Sequence, residues 1–441
     1  MYPQDMTISK EKLLKLDFSI KRVGTPTLTS RLQGIDFVED NERVTYYADQ
    51  SINDAIQAAG KKIPAFYAAG PRRALYYDAQ WTRAAIITCG GLCPGLNDVI
   101  KTLVNTLYYT YGVDNIFGIR YGYSGLNPEN HLRPIELNPE IVDDINMDGG
   151  SILGSSRGEQ SPEEMVKTLD RLNINILFTI GGDGTQRGAH AIAQEIAKRK
   201  LPIAVVGIPK TIDNDLNFMD KTFGFQTAVQ TAVPIISCAH NEAKGTFNGV
   251  GLVRLMGRDS GFIAAYASLA NSVVNCCLIP EVQFKLEDLL YSLEKRLDKK
   301  HHAVIVTAEG AGQNFFEGEK LIDKSGNKLH KDIGSFLKDK ITEYMKSKGK
   351  EISVKYIDPS YIIRSTPANG MDSIFCLHLA QHAVHAAMAG FTDIVVGSWN
   401  GYFTYVPIEL ATLSRRKIDP RGALWQSVLL TTRQNIWLQR N

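Results

Sequence analysis

Seven short apolar runs, rich in Ile and Val and each closed by glycine or a polar turn, recur at 84–88, 116–119, 176–180, 203–208, 250–255, 303–308 and 394–397. Runs of four to six residues without polar alternation mark strands buried on both faces, the condition of a parallel sheet. Helical patterns lie between them. Val99, Ile100, Leu103, Val104 and Leu107 form one apolar stripe, and Ala189, Ile192, Ala193 and Ile196 form another. Strand–helix alternation of this kind predicts an α/β fold, and strands spread over roughly 300 residues predict more than one such sheet.

Composition narrows the partners. With 49 Lys+Arg against 47 Asp+Glu in 441 residues, the net charge of +2 is too small for a chain whose main partner is nucleic acid or an anionic membrane. A small anionic ligand needs only a local cluster of charge. The six cysteines include no CxxC pair and read as reduced, partly buried thiols. No apolar run reaches 18 residues and the N-terminus has no apolar signal core, so a cytosolic location is expected.

Two regions depart from the alternation. The first 80 residues are charged, poor in strand candidates and punctuated by Gly24-Thr25-Pro26 and Ala69-Gly70-Pro71; they read as an N-terminal extension. Residues 310–350 open with Gly310-Ala311-Gly312 and carry scattered lysines, which reads as an insertion or surface loop.

Three glycine-rich or polar turns follow strands, where ligands of parallel sheets collect: GGLCPGLN at 90–97, GGDGTQRG at 181–188 and PKTIDND at 209–215. Glycine lets backbone approach phosphate oxygens, and the N–H groups of a following helix supply donors. Neither GxxxxGK[ST] nor GxGxxG is present. Asp183 inside a glycine turn fits a carboxylate that shares a divalent cation with phosphates. Asp213 and Asp215, two residues apart, face one side of an extended segment, an unfavourable pairing unless a cation or a reacting proton uses it. A fourth turn, MGRDSG at 256–261, places Arg258 where it can grip a phosphate. Glu309 ends the 303–308 strand, and Arg364 stands in PSYIIRS.

In this order these motifs, together with Gly150–Arg157 and GFQTA, resemble the phosphofructokinase superfamily over residues 84–400. AGPR at 69–72 and GGLCPGLNDVI are most similar to its longer, plant- and protist-type ATP-dependent members. The resemblance implies two Rossmann-like three-layer α/β domains with mainly parallel sheets, plus the extension at 1–80. The donor domain is expected at 81–223, completed by about 364–404, and the sugar-phosphate domain at 224–363, completed by about 405–441. It further implies a glycolytic, allosteric kinase that moves the γ-phosphoryl of Mg²⁺-bound ATP to the C1 hydroxyl of fructose 6-phosphate, working as a homo-oligomer, tetramer or dimer. Gly91, Tyr123, Arg157, Gly184, Thr185, Gly188 and Lys210 match donor positions, and Asp183 matches the magnesium ligand. Asp213 matches the general base, supported by Thr211, Asp215 and Arg258. Met256, Gly257, Arg258 and Glu309 match sugar contacts; Lys355, Tyr361 and Arg364 fall at the 6-phosphate positions.

Departures from the family pattern are part of the reading. Gly249 stands where compact members have an arginine, and Lys355 and Tyr361 where they have Arg and His. Pyrophosphate-dependent members carry Asp at the place of Gly184 and Lys at the place of Lys210. The Gly-plus-Lys combination resembles the long ATP-dependent group, so ATP is the expected donor, with pyrophosphate use or a regulatory subunit as alternatives. NAD kinases and diacylglycerol kinases share GGDGT but lack PKTIDND followed by MGRDSG. His378, His382 and His385 share a helix face with apolar neighbours and are expected to pack rather than bind zinc; Arg415-Arg416-Lys417 reads as solvated surface.

Overall fold

The computed structural model describes residues 8–316 and 330–434. Thirteen strands build two sheets. We label them β1 (Arg43–Thr45), β2 (Ala65–Ala68), β3 (Arg83–Thr88), β4 (Asn115–Ile119), β5 (Ile135–Leu137), β6 (Ile176–Gly181), β7 (Ala204–Pro209), β8 (Gly249–Leu255), β9 (Cys276–Leu278), β10 (His302–Ala308), β11 (Ser353–Ile357), β12 (Ile394–Trp399) and β13 (Tyr402–Pro407). All seven apolar runs of the sequence are strands. Together β3, β4, β6, β7 and β12 form the parallel centre of a nine-stranded sheet, in the order β1-β2-β13-β12-β7-β6-β3-β4-β5. The second sheet, β9-β10-β8-β11, is parallel throughout.

Alternation along the strands sorts side chains into layers. In β3, Ile86 faces a core shared with the second sheet, whereas Ala85 and Ile87 face the opposite side. The shared core is filled by helices α1 (Leu96–Asn105), α4 (Phe225–Lys244), α5 (Phe262–Ala270) and α8 (Gly370–Met388). Helices α2 (Pro162–Arg171) and α3 (Asp183–Arg199) cover the far face of the large sheet, and α6 (Leu286–Lys300) and α7 (Ile333–Ser347) that of the small one. Both apolar stripes of the sequence are buried, on α1 with its π-helical continuation and on α3.

The extension both packs on the first α/β domain, burying Leu13 and Phe18 against it, and joins its sheet. Through β1 and β2 it lengthens the β13 edge by antiparallel pairing. Residues 310–350 are not simply a surface loop. Ile333, Leu337, Ile341 and Met345 bury one side of α7, capped by Asp332, while 317–329 lie outside the described residues. The half-buried His382 and His385 do pack: Tyr111 Oη lies 2.7 Å from His385 Nδ1, and the His382 ring is 4.8 Å from Phe403. Among the described residues no helix is long and apolar enough to cross a membrane.

Candidate active site

In the large sheet β7, β6 and β3 are neighbours, so the turns at 209–215, 181–188 and 90–97 stand side by side at their C-terminal ends. After β3 the chain crosses to β4 and returns to β6 on the other side, and that reversal opens a crevice. The 256–261 turn after β8 approaches from the second sheet. A cavity of about 410 Å³ lies between them, lined by all four turns.

Packing explains several glycines. A Cβ on Gly188 would lie 2.7 Å from the Tyr123 ring, whose hydroxyl donates to the Thr185 carbonyl at 2.6 Å. Gly95, at φ +96°, starts α1, and a Cβ there would meet Cys376 Sγ at 2.6 Å. Gly184 is different: a Cβ would meet nothing within 4 Å. Gln186, unflagged in the sequence, is buried and donates to the carbonyls of Gly181 and Ile208 at 3.0 and 3.2 Å, tying the ends of β6 and β7 together. Replacing Gly188 by Val is expected to displace Tyr123, destabilise the fold by about 1–3 kcal/mol and weaken donor binding. Thermal denaturation and the donor KM report the two effects.

The carboxylates meet in the crevice. Asp183 is the first residue of α3, 2.5 Å from Arg187 and 3.5 Å from Arg415. Thr211 Oγ1 donates to Asp215 at 3.1 Å and accepts from the Asp213 backbone at the same distance, which fixes the pair. Arg258 Nε lies 3.8 Å from Asp213 Oδ2. Asp213 Oδ1 is buried without a hydrogen-bond partner among the described residues. Burial, and next the Asp215 charge, push the Asp213 pKa up to about 7; burial also raises Asp215, against the pull of Arg415.

Most sequence-predicted residues reach this cavity. Gly91, Tyr123, Arg157, Asp183, Gly184, Thr185, Gly188, Lys210, Thr211, Asp213, Asp215, Met256, Arg258 and Arg364 all line it. Lys210 is buried and donates to the Gly91 carbonyl at 2.7 Å, so it braces the first turn. Glu309 sits behind the wall, accepting from Arg258 N at 3.0 Å and pairing with Arg254 at 3.2 Å. Gly257, at φ +140°, shapes the turn beside it. Lys355 and Tyr361 do not line the cavity; both are exposed, and Tyr361 lies under the Arg364 guanidinium. At Gly249 any Cβ would lie 2.1 Å from the Ala243 carbonyl, so the end of α4 excludes an arginine there.

The basic run 415–417 is not solvated surface. Arg416 is buried with Nη1 2.7 Å from the Asp220 carbonyl, and Arg415 lines the cavity; Lys417 alone of the three is exposed.

Among the described residues no three His, Cys, Asp or Glu side chains are arranged to hold a metal ion by themselves. The donor set suits a cation of the Mg²⁺ kind, which takes one or two carboxylates and completes its shell with phosphates and water. Asp183, at the cavity wall on the first turn of α3, fits that role.

A parallel α/β scaffold that gathers glycine turns, arginines and a high-pKa carboxylate at a sheet crossover is an enzyme of phosphorylated small molecules. The profile of the family described as Phosphofructokinase matches residues 83–387, and the chain belongs to that family. It is 54% identical over 378 residues to the ATP-dependent 6-phosphofructokinase of Borreliella burgdorferi, covering 83% of this chain and 85% of that protein. The protein of the same name from Entamoeba histolytica is 52% identical, over 81% and 82% of the two chains. The fold resembles the pyrophosphate-dependent phosphofructokinase of Marinobacter aquaeolei, with a TM-score of 0.66 at 19% identity over 80% of this chain and 91% of that one.

Proposed function

We propose that the chain is an ATP-dependent 6-phosphofructokinase that transfers the γ-phosphoryl group of ATP to the C1 hydroxyl of fructose 6-phosphate, giving fructose 1,6-bisphosphate. The observation that carries this reading is Asp213: buried, with one unpartnered oxygen, and facing Arg258 across the crevice. Phosphoryl transfer needs positioning and charge neutralisation more than covalent catalysis, and one base suffices.

In this reading the residues divide the work. Asp213 takes the proton of the attacking hydroxyl, while Thr211 and Asp215 hold its turn. Gly91, Tyr123, Arg157, Gly184, Thr185 and Gly188 frame the donor, and Lys210 fixes the loop that carries Gly91. Arg157 and Arg258 balance charge on the transferred group. Met256, Gly257 and Glu309 shape the sugar side, and Arg364, stacked on Tyr361, meets the 6-phosphate. Asp183 would hold Mg²⁺ together with the donor phosphates, and that cation would supply charge neutralisation during transfer. On the same reading the large sheet serves the donor and the small one the sugar phosphate, with 1–80 contributing a sheet edge.

A pH dependence follows. The base must be ionised, and its pKa is raised to about 7 in the free protein. Below that value kcat/KM is expected to fall about tenfold per pH unit, with no comparable loss at pH 8. A rate profile from pH 5.5 to 8.5 checks this; a flat profile sinks the base assignment.

Gly184, which sets no carboxylate against the donor phosphates, favours ATP over pyrophosphate; Lys210 gives one of its three donors to the Gly91 carbonyl and still lines the cavity. Turnover with each donor on the purified chain is the deciding test: ATP is expected to work and pyrophosphate to fail. No turnover with either would support the regulatory-subunit alternative, against which stand Asp183, Asp213 and Arg258, all at the cavity. We also propose a cytosolic homo-oligomer. The helix Ser360–Ser365 and the start of α8 expose Tyr361, Ile362, Met371 and Ile374 beside the Arg364 region, an apolar surface of the kind subunit contacts use.

A further inference from the structure

The stretch 414–418 is laced to both halves of the crevice. Asn217 Nδ2 donates to the Ser414 carbonyl at 2.9 Å, and Arg415 makes an isolated antiparallel bridge with Leu216. Arg416 N donates to the Asp215 carbonyl at 2.8 Å. On the other side, Ser260 Oγ donates to the Arg416 carbonyl at 2.7 Å, and Ile418 N shares Glu281 Oε1 with Gly261 N at 3.0 and 2.9 Å. The backbone of Arg415 is therefore held between the turn after β7 and the turn after β8.

From that anchor its guanidinium reaches carboxylates on three different turns. Nε lies 3.5 Å from Asp183 Oδ2 and 3.8 Å from Asp215 Oδ2, and Nη1 lies 3.5 Å from Asp259 Oδ2. Arg187 is a second cation on Asp183. Asp215 is buried, and a buried carboxylate without a cation is costly. A guanidinium whose main chain is already fixed loses little freedom in supplying that charge.

We propose that Arg415 is a positioning residue for the phosphoryl transfer proposed above: it is the resting counter-ion that spans Asp183 and Asp215, and a divalent cation carried in with the donor competes with it for Asp183. The inference rests on that functional reading for its purpose but not for its test. Its two consequences run in opposite directions. Neutralising Arg415 loosens the alignment of the carboxylates, which lowers turnover. It also removes a positive charge from beside Asp183, which raises the affinity of the empty site for a cation.

The experiment measures Mn²⁺ alone, by electron paramagnetic resonance on the nucleotide-free full chain, so a chain without kinase activity still answers. Arg415→Met is expected to bind Mn²⁺ about tenfold more tightly than the parent, a change worth about 1.4 kcal/mol. Its kcat with ATP is expected to fall by about 10²-fold, the scale of a small misplacement. Arg415→Lys, which keeps the charge, restores the parental Mn²⁺ affinity. A residue that merely held the fold would weaken both cation binding and turnover. Arg415→Gln serves as a second neutral variant should the Met variant fail to fold. Unchanged or weaker Mn²⁺ binding in the folded neutral variants overturns the proposal.

Discussion

Asp213→Asn is expected to lower kcat by about 10²–10⁴-fold, the range a positioned general base contributes, with little change in the KM for fructose 6-phosphate. The amide matches the carboxylate in shape and leaves the Thr211 and Asp215 contacts of the turn in place, so the loss isolates the proton transfer. An unchanged kcat would remove Asp213 from the chemistry. The same variant carries a second expectation of opposite sign, in stability. The native carboxyl is raised from its ordinary 3.8 to about 7 by burial and by Asp215. A carboxyl raised in the folded state binds its proton more tightly there than when unfolded. Its ionisation therefore costs stability as pH rises from about 4 through 7, and the full cost persists above 7. Asparagine has no charge to bury. Asp213→Asn should unfold at a higher temperature than the parent at pH 8, with the gap closing toward pH 4. A less active but more stable variant is what a site strained for function predicts.

The parts of this site that were legible in the sequence are those whose cause is local. Strands buried on both faces must be continuously apolar, so β3, β4, β6, β7, β8, β10 and β12 all announced themselves. The turns after β3, β6 and β7 carry their glycines and carboxylates within eight residues, so Asp183, Asp213 and Asp215 could be picked out before any tertiary contact was known. Strands at or next to a sheet edge behave differently. β1, β2 and β11 are short and partly exposed, without a fully buried run, and the first two took the extension out of view. Arg415 was lost for a different reason. A run of three basic residues has the composition of solvated surface, and only the bridge to Leu216 and the bonds of Arg416 to Asp215 and Ser260, all set by distant segments, turn it inward. Gly249 is the converse case. The departure from the family pattern was visible, but its cause, the carbonyl of Ala243 at the end of α4, was not.

Gly184→Asp is expected to cut kcat/KM with ATP by about 10²–10³-fold, because a carboxylate set against phosphates costs several kcal/mol. This position separates charge from packing unusually well. A Cβ at Gly184 meets nothing within 4 Å, and the residue sits in the first turn of α3 with no positive φ to forbid a side chain. The aspartate can therefore be accommodated without displacing Thr185, Tyr123 or the sheet, and it adds an acidic group to a helix N-terminus that favours one. Folding stability should be kept or slightly raised, so thermal denaturation matching the parent would certify that the lost activity comes from the donor site. The KM for fructose 6-phosphate should move little, since Met256, Arg258 and Glu309 belong to the opposite sheet. The neutral control is Gly184→Asn, close in size but uncharged. If crowding alone sets the donor preference, Asn and Asp will lose ATP turnover equally. If the charge at this place sets it, as the open surroundings of Gly184 indicate, Asp will lose at least tenfold more than Asn, about 1.4 kcal/mol of discrimination. Equal losses in the two variants would reassign donor choice from charge to shape.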